Sequence, residues 1–336
     1  MSDYTPLELR ECAERLIGAD ALILTHKNPD ADTVGSALAL CEMIRLCGGR
    51  AHAVCADPIP ERLAFLLGDE NLVYIPGEEE GKCVIAADTA SPSQLGALEN
   101  LAGKTSFMID HHAVGTPFAD YLRDSAASSA GEIVWSIARY LSESGRLTLT
   151  PRLCRLIYAA ISSDTGSFKY SNTSPATHEA AAQLTAVINS AGDGGEDTAD
   201  IARLLFDTKT PAELRANALA AQKLTMCGGG KLALIAISLE DCRLAGVTPE
   251  DCSSAVDVAR SVAGVCAGVS IKEKGGGEYR ISARSNCDFD VAEVCALFGG
   301  GGHVRAAGAS VYAADLSEAA EKVTKAFEKA AEKRYG

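Results

Sequence analysis

The sequence predicts an α/β protein: a doubly wound, mainly parallel sheet in an N-terminal domain, then a smaller α/β C-terminal domain with a mixed sheet. Three observations predict it. Short apolar runs without polar alternation, such as "ALILTH" (Ala21–His26), suit strands covered on both faces. Stretches of helical length and pattern stand between and after those runs. Beyond residue 228 the pattern changes to alternating runs that turn back at glycines.

The elements follow in order. "ALILTH" opens the sheet, and "TVGSALALCEMIRLCGG" (Thr33–Gly49) reads as a helix stopped by its glycines. "AHAVCA", "CVIAADT" and "SFMIDHH" are further strands. "GEIVWSIARYLSE" and "PRLCRLIYAAISSDTG" read as helices, the second opened by Pro151, whose missing N–H costs nothing at a first helical position. "SPATHEA" reads as another helix start, with Ser174 as cap and Pro175 first. "AGDGGEDTAD" (Ala191–Asp200) shifts to Gly and Asp and marks a boundary. The expected division is a first domain over 1–190, a linker with connecting helices over 191–227, and a second domain over 228–336. In that domain "GGGKLALIAIS" begins a strand, and "VCAGVSIKEKGGGEYRISARSN" is a hairpin turning at Gly275–Gly277. "DVAEVCALF" is a short helix, "AAGASVYA" a strand, and "SEAAEKVTKAFEKAAEKRYG" a terminal amphipathic helix.

Composition narrows the function. Lys+Arg number 31 against Asp+Glu 45, a net charge of −14. Affinity for long duplex DNA comes largely from phosphate neutralisation, so an acidic chain is a poor candidate for it. A small anionic substrate stays open, given a basic or metal-bearing site. The 12 cysteines form no C-x-x-C pair, which argues against a zinc ribbon. With no signal-peptide pattern and no bilayer-length apolar run, the expectation is reduced, mostly buried thiols in a cytoplasmic protein without a membrane partner.

Several apolar runs end in acids or histidines. His26, Asp30 and Asp32 follow "ALILT"; Asp88 ends "CVIAA"; Asp110, His111 and His112 end "FMI"; Asp164 follows "LCRLIYAAISS". In an open parallel sheet, ligands bind outside the carboxyl ends of strands. Each cluster alone has a plain structural explanation. "NPDAD" suits a turn with an N-cap at Asp32, Asp88 before Thr89 suits another cap, and a lone His111 suits a structural role. Their conjunction points elsewhere. Carboxylates and imidazoles gathered in one crevice repel as bare charge, and divalent cations resolve that repulsion. A mixed imidazole and carboxylate set without thiolates favours Mn²⁺ or a similar ion. Two metals about 3.5–4 Å apart suit phosphoryl transfer.

A second signature is "FGGGGHVRAAG" (Phe298–Gly308). Glycines let a backbone approach a ligand closely, and successive N–H groups can cradle an anion. Gly300, Gly301, Gly302 and His303 are therefore candidate substrate contacts, with Arg305 beside them and Arg284 as a planar fork for phosphate. A flexible surface loop is the structural alternative.

The stretches "THKNPDADTVGSALAL", "CVIAADTA", "FMIDHHAVG", "YAAISSDTGSFKYSNTSPATHEAAAQL" and "FGGGGHVRAAG" occur in one order from residue 25 to about residue 310. In these motifs the chain resembles the DHH phosphoesterase superfamily, in the branch with a DHH-associated C-terminal domain, and most of all its nano-RNase and pAp phosphatase (NrnA-like) group. The resemblance implies two divalent ions, Mn²⁺ first with Mg²⁺ or Co²⁺ as substitutes. His26 and Asp30 would hold one, Asp32, His111 and Asp164 the other, and Asp88 both. His112 would contact the scissile phosphate or protonate the leaving group, with Asp110 orienting a histidine. Arg284, Ser285 and His303 would contact the nucleotide; His178 is a weaker substrate-side candidate, and His52 is expected to be structural.

The implied activity is hydrolysis of short oligoribonucleotides to 5′-mononucleotides, or of 3′-phosphoadenosine 5′-phosphate (pAp) to AMP, by a homodimer whose second domain holds the terminal nucleotide. A cyclic-di-AMP or pApA phosphodiesterase is the alternative that the motifs do not separate. A manganese inorganic pyrophosphatase would lack the glycine signature, a RecJ-like exonuclease would carry further domains, and a non-catalytic nucleotide sensor would have lost a ligand.

Overall fold

The computed structural model describes residues 4–192 and 194–335, the last as backbone. The chain forms two compact units, one ending at Thr208 and the other beginning at Lys209. The glycine- and aspartate-rich stretch lies before that break, so the helix after it belongs to the first unit.

The first unit runs α1 (Leu9–Leu16), β1 (Asp20–Leu24), α2 (Ala31–Leu46), β2 (Arg50–Val54), α3 (Ala64–Leu67), β3 (Cys83–Ala87), β4 (Phe107–Asp110), β5 (Asp120–Arg123), α4 (Ala130–Glu143), α5 (Pro151–Asp164), α6 (Pro175–Ser190) and α7 (Thr198–Ala202). All five strands are parallel, in the order β2-β1-β3-β4-β5. The chain leaves β1 in one direction to β2 and returns to β3 on the other side. That reversal opens a crevice at the carboxyl ends of β1 and β3.

Alternate strand residues feed two cores. Ala21, Ile23, Ile85, Phe107 and Ile109 pack with α1, α2, α4 and α5. Leu22, Leu24, Val84, Ala86 and Met108 pack instead on Leu95, Leu98 and Leu101. Those three belong to a 3₁₀ run, Pro92–Lys104, interrupted at Gly96 with φ +59°. Burial on both faces is why the strands lack polar alternation. Helix α2 is apolar nearly all round because the sheet, α4 and α5 enclose it. Its cap is Asp30, whose carboxylate accepts the Thr33 N–H at 3.0 Å; Asp32, for which a cap was the structural alternative, lies inside the first turn. As expected, Pro151 opens α5, and Ser174 caps α6 with Pro175 first; Thr150 supplies the cap of α5.

The second unit comprises α8 (Pro211–Gln222), β6 (Leu224–Cys227), β7 (Leu232–Ile237), α9 (Leu239–Ala245), α10 (Ala255–Arg260), β8 (Ala267–Gly275), β9 (Glu278–Ser285), α11 (Val291–Ala296), β10 (Gly301–His303), β11 (Ala306–Tyr312) and α12 (Leu316–Tyr335). Its six-stranded sheet is mixed, in the order β10-β11-β9-β8-β7-β6, with only β7 and β8 parallel. Helices α11 and α12 cover one face through Val294, Val323 and Phe327. On the other face α8, α9 and α10 pack against β7 through Ala233, Ile235 and Ile237. The hairpin turns at Gly275–Gly277, all three with positive φ, as the glycines predict.

Candidate active site

The acids and histidines meet at the carboxyl ends of β1, β3 and β4. His26 follows β1, and Asp30 and Asp32 stand at the start of α2. Asp88 follows β3 directly. Its φ of +53° is unusual for a residue with a side chain, and its N–H is held by the Ile109 carbonyl at 2.8 Å. His111 and His112 leave β4, and Asp164 is the last residue of α5.

The groups sort themselves into two sets around Asp88. His26 Nε2 lies 3.4 Å from Asp88 Oδ2 and 3.7 Å from Asp30 Oδ1. His111 Nε2 lies 3.6 Å from Asp88 Oδ1, 3.4 Å from Asp164 Oδ2 and 3.8 Å from Asp32 Oδ2. Donor atoms around a transition metal at about 2.0–2.2 Å are separated by roughly 3–3.5 Å, so both sets are close to ligand spacing. His26, Asp30 and Asp88 could hold one ion, and Asp32, His111 and Asp164 another.

The electrostatics fit cations. Asp88 is buried, and its Oδ1 has no hydrogen-bond partner among the described residues. Burial first, then the charge of Asp32, holds its carboxyl well above the usual range. Asp164 is raised well above its range by burial and by Asp32, Asp30 and Asp88. Burial disfavours the charged form of His26, but its close approach to the Asp30 and Asp88 carboxylates outweighs that and pushes it up to about 11. Protons thus offset the gathered negative charge, and divalent cations binding there would displace them.

Asp32 is placed by contacts distant in sequence. Its Oδ2 accepts the Ala130 N–H at 2.8 Å, and its Oδ1 accepts the Gly131 N–H at 2.9 Å and the Ser36 hydroxyl at 3.0 Å. The start of α4 therefore offers its unsatisfied N–H groups to this carboxylate. Glu132 secures that start: its Oε2 accepts the Ser128 N–H at 3.1 Å and the Thr177 hydroxyl at 2.8 Å. None of these partners was expected from the sequence, although Ser129-x-x-Glu132 has the pattern of a helix start.

His112 Nδ1 also lies 3.6 Å from Asp88 Oδ1, so Asp88, His111 and His112 form a third group of donor spacing, but the shortest bond of His112 is elsewhere. Its Nδ1 lies 2.7 Å from Asp110 Oδ1, and its backbone N–H donates to the same oxygen at 3.3 Å. The Asp110 hydrogen bond raises the His112 pKa against the effect of burial. Burial works to raise Asp110, but His112 outweighs it and holds the carboxyl below its usual range. An ionised carboxylate only accepts, so Nδ1 carries the hydrogen and Nε2 is the nitrogen that can exchange a proton with a substrate. Arg123 Nε donates to Asp110 Oδ2 at 3.1 Å.

In the second unit, the strand register sets Arg284 opposite Ala306, and Ala306 opposite His303. Residues in one such row share a sheet face, so Arg284 and His303 stand on the same side. The next row holds Ser282, Gly308 and Gly301, which are small. The glycine run is not a loop, because its end pairs as β10. A Cβ on Gly300 would lie 2.2 Å from the Gly308 carbonyl oxygen, and one on Gly302, at φ +145°, 2.4 Å from the Ala306 oxygen. Ser285 alternates to the opposite, buried side, where its hydroxyl donates to the Cys287 carbonyl at 3.0 Å. It is therefore not brought together with Arg284 and His303. Arg305 is exposed in the turn after β10. His178 is exposed with its ring stacked on Phe168 at 5.6 Å, and His52 lies at the edge of the sheet, 4.0 Å from Glu78.

Residues 20–161 match the N-terminal domain of the DHH family, and residues 239–332 match the DHHA1 domain. The bifunctional oligoribonuclease and PAP phosphatase NrnA of Bacillus subtilis is 29% identical over 304 residues, spanning 89% of this chain and 92% of that protein. The protein of the same name from Thermus thermophilus is 29% identical over 309 residues, spanning 90% and 88%. Among solved structures, an exopolyphosphatase-related protein from Bacteroides fragilis shares the fold with a TM-score of 0.84 at 22% identity, covering 97% of this chain and 95% of its own.

Proposed function

Because this chain belongs to the DHH-family phosphoesterases, with a DHHA1 domain following its DHH domain, we propose that it hydrolyses short oligoribonucleotides to 5′-mononucleotides and pAp to AMP. The observation that carries the reading is Asp88. Its two oxygens face different histidines, His26 and His111, each with its own carboxylates. A carboxylate so placed can bridge two ions. In this proposal His26, Asp30 and Asp88 hold one cation, and Asp32, His111, Asp164 and Asp88 hold the other. Bound there, divalent cations would supply Lewis acidity and lower the pKa of water.

The remaining work falls to this chain's own side chains. Asp110 fixes the Nδ1–H of His112, and His112 Nε2 gives a proton to the leaving oxygen. Arg284 and His303, with Gly300, Gly301 and Gly302 leaving room beside them, bind the phosphate and sugar of the terminal nucleotide. Manganese as the native ion, a cytoplasmic setting and a homodimer belong to the same proposal; the ligand chemistry favours manganese, the cysteine usage a reducing compartment, and the homodimer rests on family likeness alone. Among the described residues no helix is long and apolar enough to cross a membrane.

The test is turnover by metal-stripped protein, with and without Mn²⁺, on pAp, an RNA dimer, a longer oligonucleotide, cyclic di-AMP and pyrophosphate. Mn²⁺-dependent turnover of pAp and the dimer is expected, and Asp88→Asn should lower it by more than about 10³-fold while the fold is retained. Preference for cyclic di-AMP would replace the proposal with a cyclic dinucleotide phosphodiesterase, and pyrophosphate alone would make it a pyrophosphatase. Near-normal turnover by Asp88→Asn would end the bridging role.

A further inference from the structure

Arg123 ends β5, the edge strand, directly opposite Asp110 in the ladder with β4. Its side chain is only 16% exposed, and its guanidinium lies 5.5 Å from the centre of the Tyr121 ring. Nε donates to Asp110 Oδ2, while Nη2 is buried without a hydrogen-bond partner among the described residues. Burying a guanidinium with a donor orphaned is unfavourable. The charged contact this position gains is Asp110.

That contact completes a chain of three groups. Asp110 is fully buried, with Oδ1 held by His112 and Oδ2 by Arg123. A carboxylate held at one oxygen can still turn about its Cβ–Cγ bond. Held at both, it fixes the plane in which it receives Nδ1–H, and so the direction of the imidazole. Among the described residues Arg123 makes no hydrogen bond or ion pair with His26, Asp30, Asp32, Asp88, His111 or Asp164.

Resting on the proposed role of His112 at the leaving group, we infer that Arg123 is a positioning residue for phosphoester cleavage, acting through Asp110 to aim His112 at the leaving oxygen. Its influence should then depend on how much the leaving group needs a proton. A ribose oxygen leaving from a dinucleotide needs one. A p-nitrophenolate leaving from the p-nitrophenyl ester of a nucleoside 5′-monophosphate does not.

The experiment compares Arg123→Met, Arg123→Lys and His112→Ala with the parent, full-length and Mn²⁺-loaded, on both esters. Arg123→Met is expected to lose about 10- to 100-fold in kcat on the dinucleotide, with KM little changed. On the p-nitrophenyl ester it should stay within about threefold of the parent, since little proton transfer is needed there. Arg123→Lys, which keeps the charge without the planar fork, should show the same selectivity at smaller size and decides the question if the methionine variant does not fold. Mn²⁺ affinity by calorimetry should be unchanged in both. Equal slowing of the two esters by the Arg123 variants, or loss of Mn²⁺ affinity, would overturn the positioning role. If His112→Ala itself slows both esters equally, the leaving-group role of His112 fails, and the positioning role built on it falls too.

Discussion

Asp88 occupies a left-handed backbone conformation and surroundings that disfavour its charge. Both features oppose stability and serve the site, as strain at functional positions commonly does. The sign of the consequence follows from the raised pKa. In the unfolded chain Asp88 ionises near pH 4. In the fold it keeps its proton to higher pH, so the stability it contributes is present below pH 4 and is lost as pH rises through the folded pKa. Without metal, Asp88→Asn should therefore gain on the parent in thermal midpoint as pH rises from 4 towards neutrality. Added Mn²⁺ should reverse the order, since ions that bind the native parent stabilise it by mass action. A difference that stays flat with pH in the stripped proteins would show that the Asp88 charge is not what the fold resists.

At the scale of elements, helices α2, α4 and α5 converge on Ala160. A Cβ on Gly35 would lie 2.7 Å from the Leu156 carbonyl oxygen and 3.2 Å from the Ala160 Cβ. One on Gly131 would lie 2.5 Å from that same Cβ. Asp32 and Gly35 share a face of α2, and Ala160 and Asp164 share a face of α5. The glycine contact thus sets how near the two acids come. Gly35→Ala should overpack this crossing and cost about 1–3 kcal/mol in urea unfolding. Mn²⁺ affinity should fall with it, because Asp32 is displaced from Asp164. A variant as stable as the parent, binding Mn²⁺ equally well, would show that the helices yield at this point.

The elements also show what the sequence reveals. Helices α2, α4, α5 and α6 and strands β1, β3 and β4 are legible because their apolar runs are continuous and their ends carry Asp, Ser, Thr, Pro or Gly signals. Strand β5 is not, since "DYLR" is half-buried at an edge and has no apolar run. Strand β10 is hidden for another reason. Its "GGH" is exposed, and only pairing with β11 makes it a strand.

At the scale of the molecule, the DHH and DHHA1 domains divide the proposed labour between ion binding and nucleotide binding. Arg284 lies in the second unit and the metal-type cluster in the first. Arg284→Met should then raise KM for pAp by about 10- to 100-fold, the worth of one hydrogen bond to a charged group, at nearly constant Mn²⁺ affinity. An unchanged KM would remove Arg284 from the substrate contacts.

The sequence by itself determined the two α/β domains and the residue types of the cluster. His26, Asp30, Asp32, Asp88, Asp110, His111, His112 and Asp164 lie in short stretches at the ends of strands or of an apolar helix, so local pattern reveals them. Only the tertiary structure decided how they are held. Asp32 is bound by N–H groups from Ala130 and Gly131, Asp110 is clamped by Arg123, and Ser285 is turned to the buried side of its sheet. The first two depend on partners distant in the chain; for the third, alternation separates Ser285 from Arg284, but only the packed sheet decides which of the two faces is buried. Neither those partners nor the buried face is encoded in residue spacing, because both arise only when the elements are assembled.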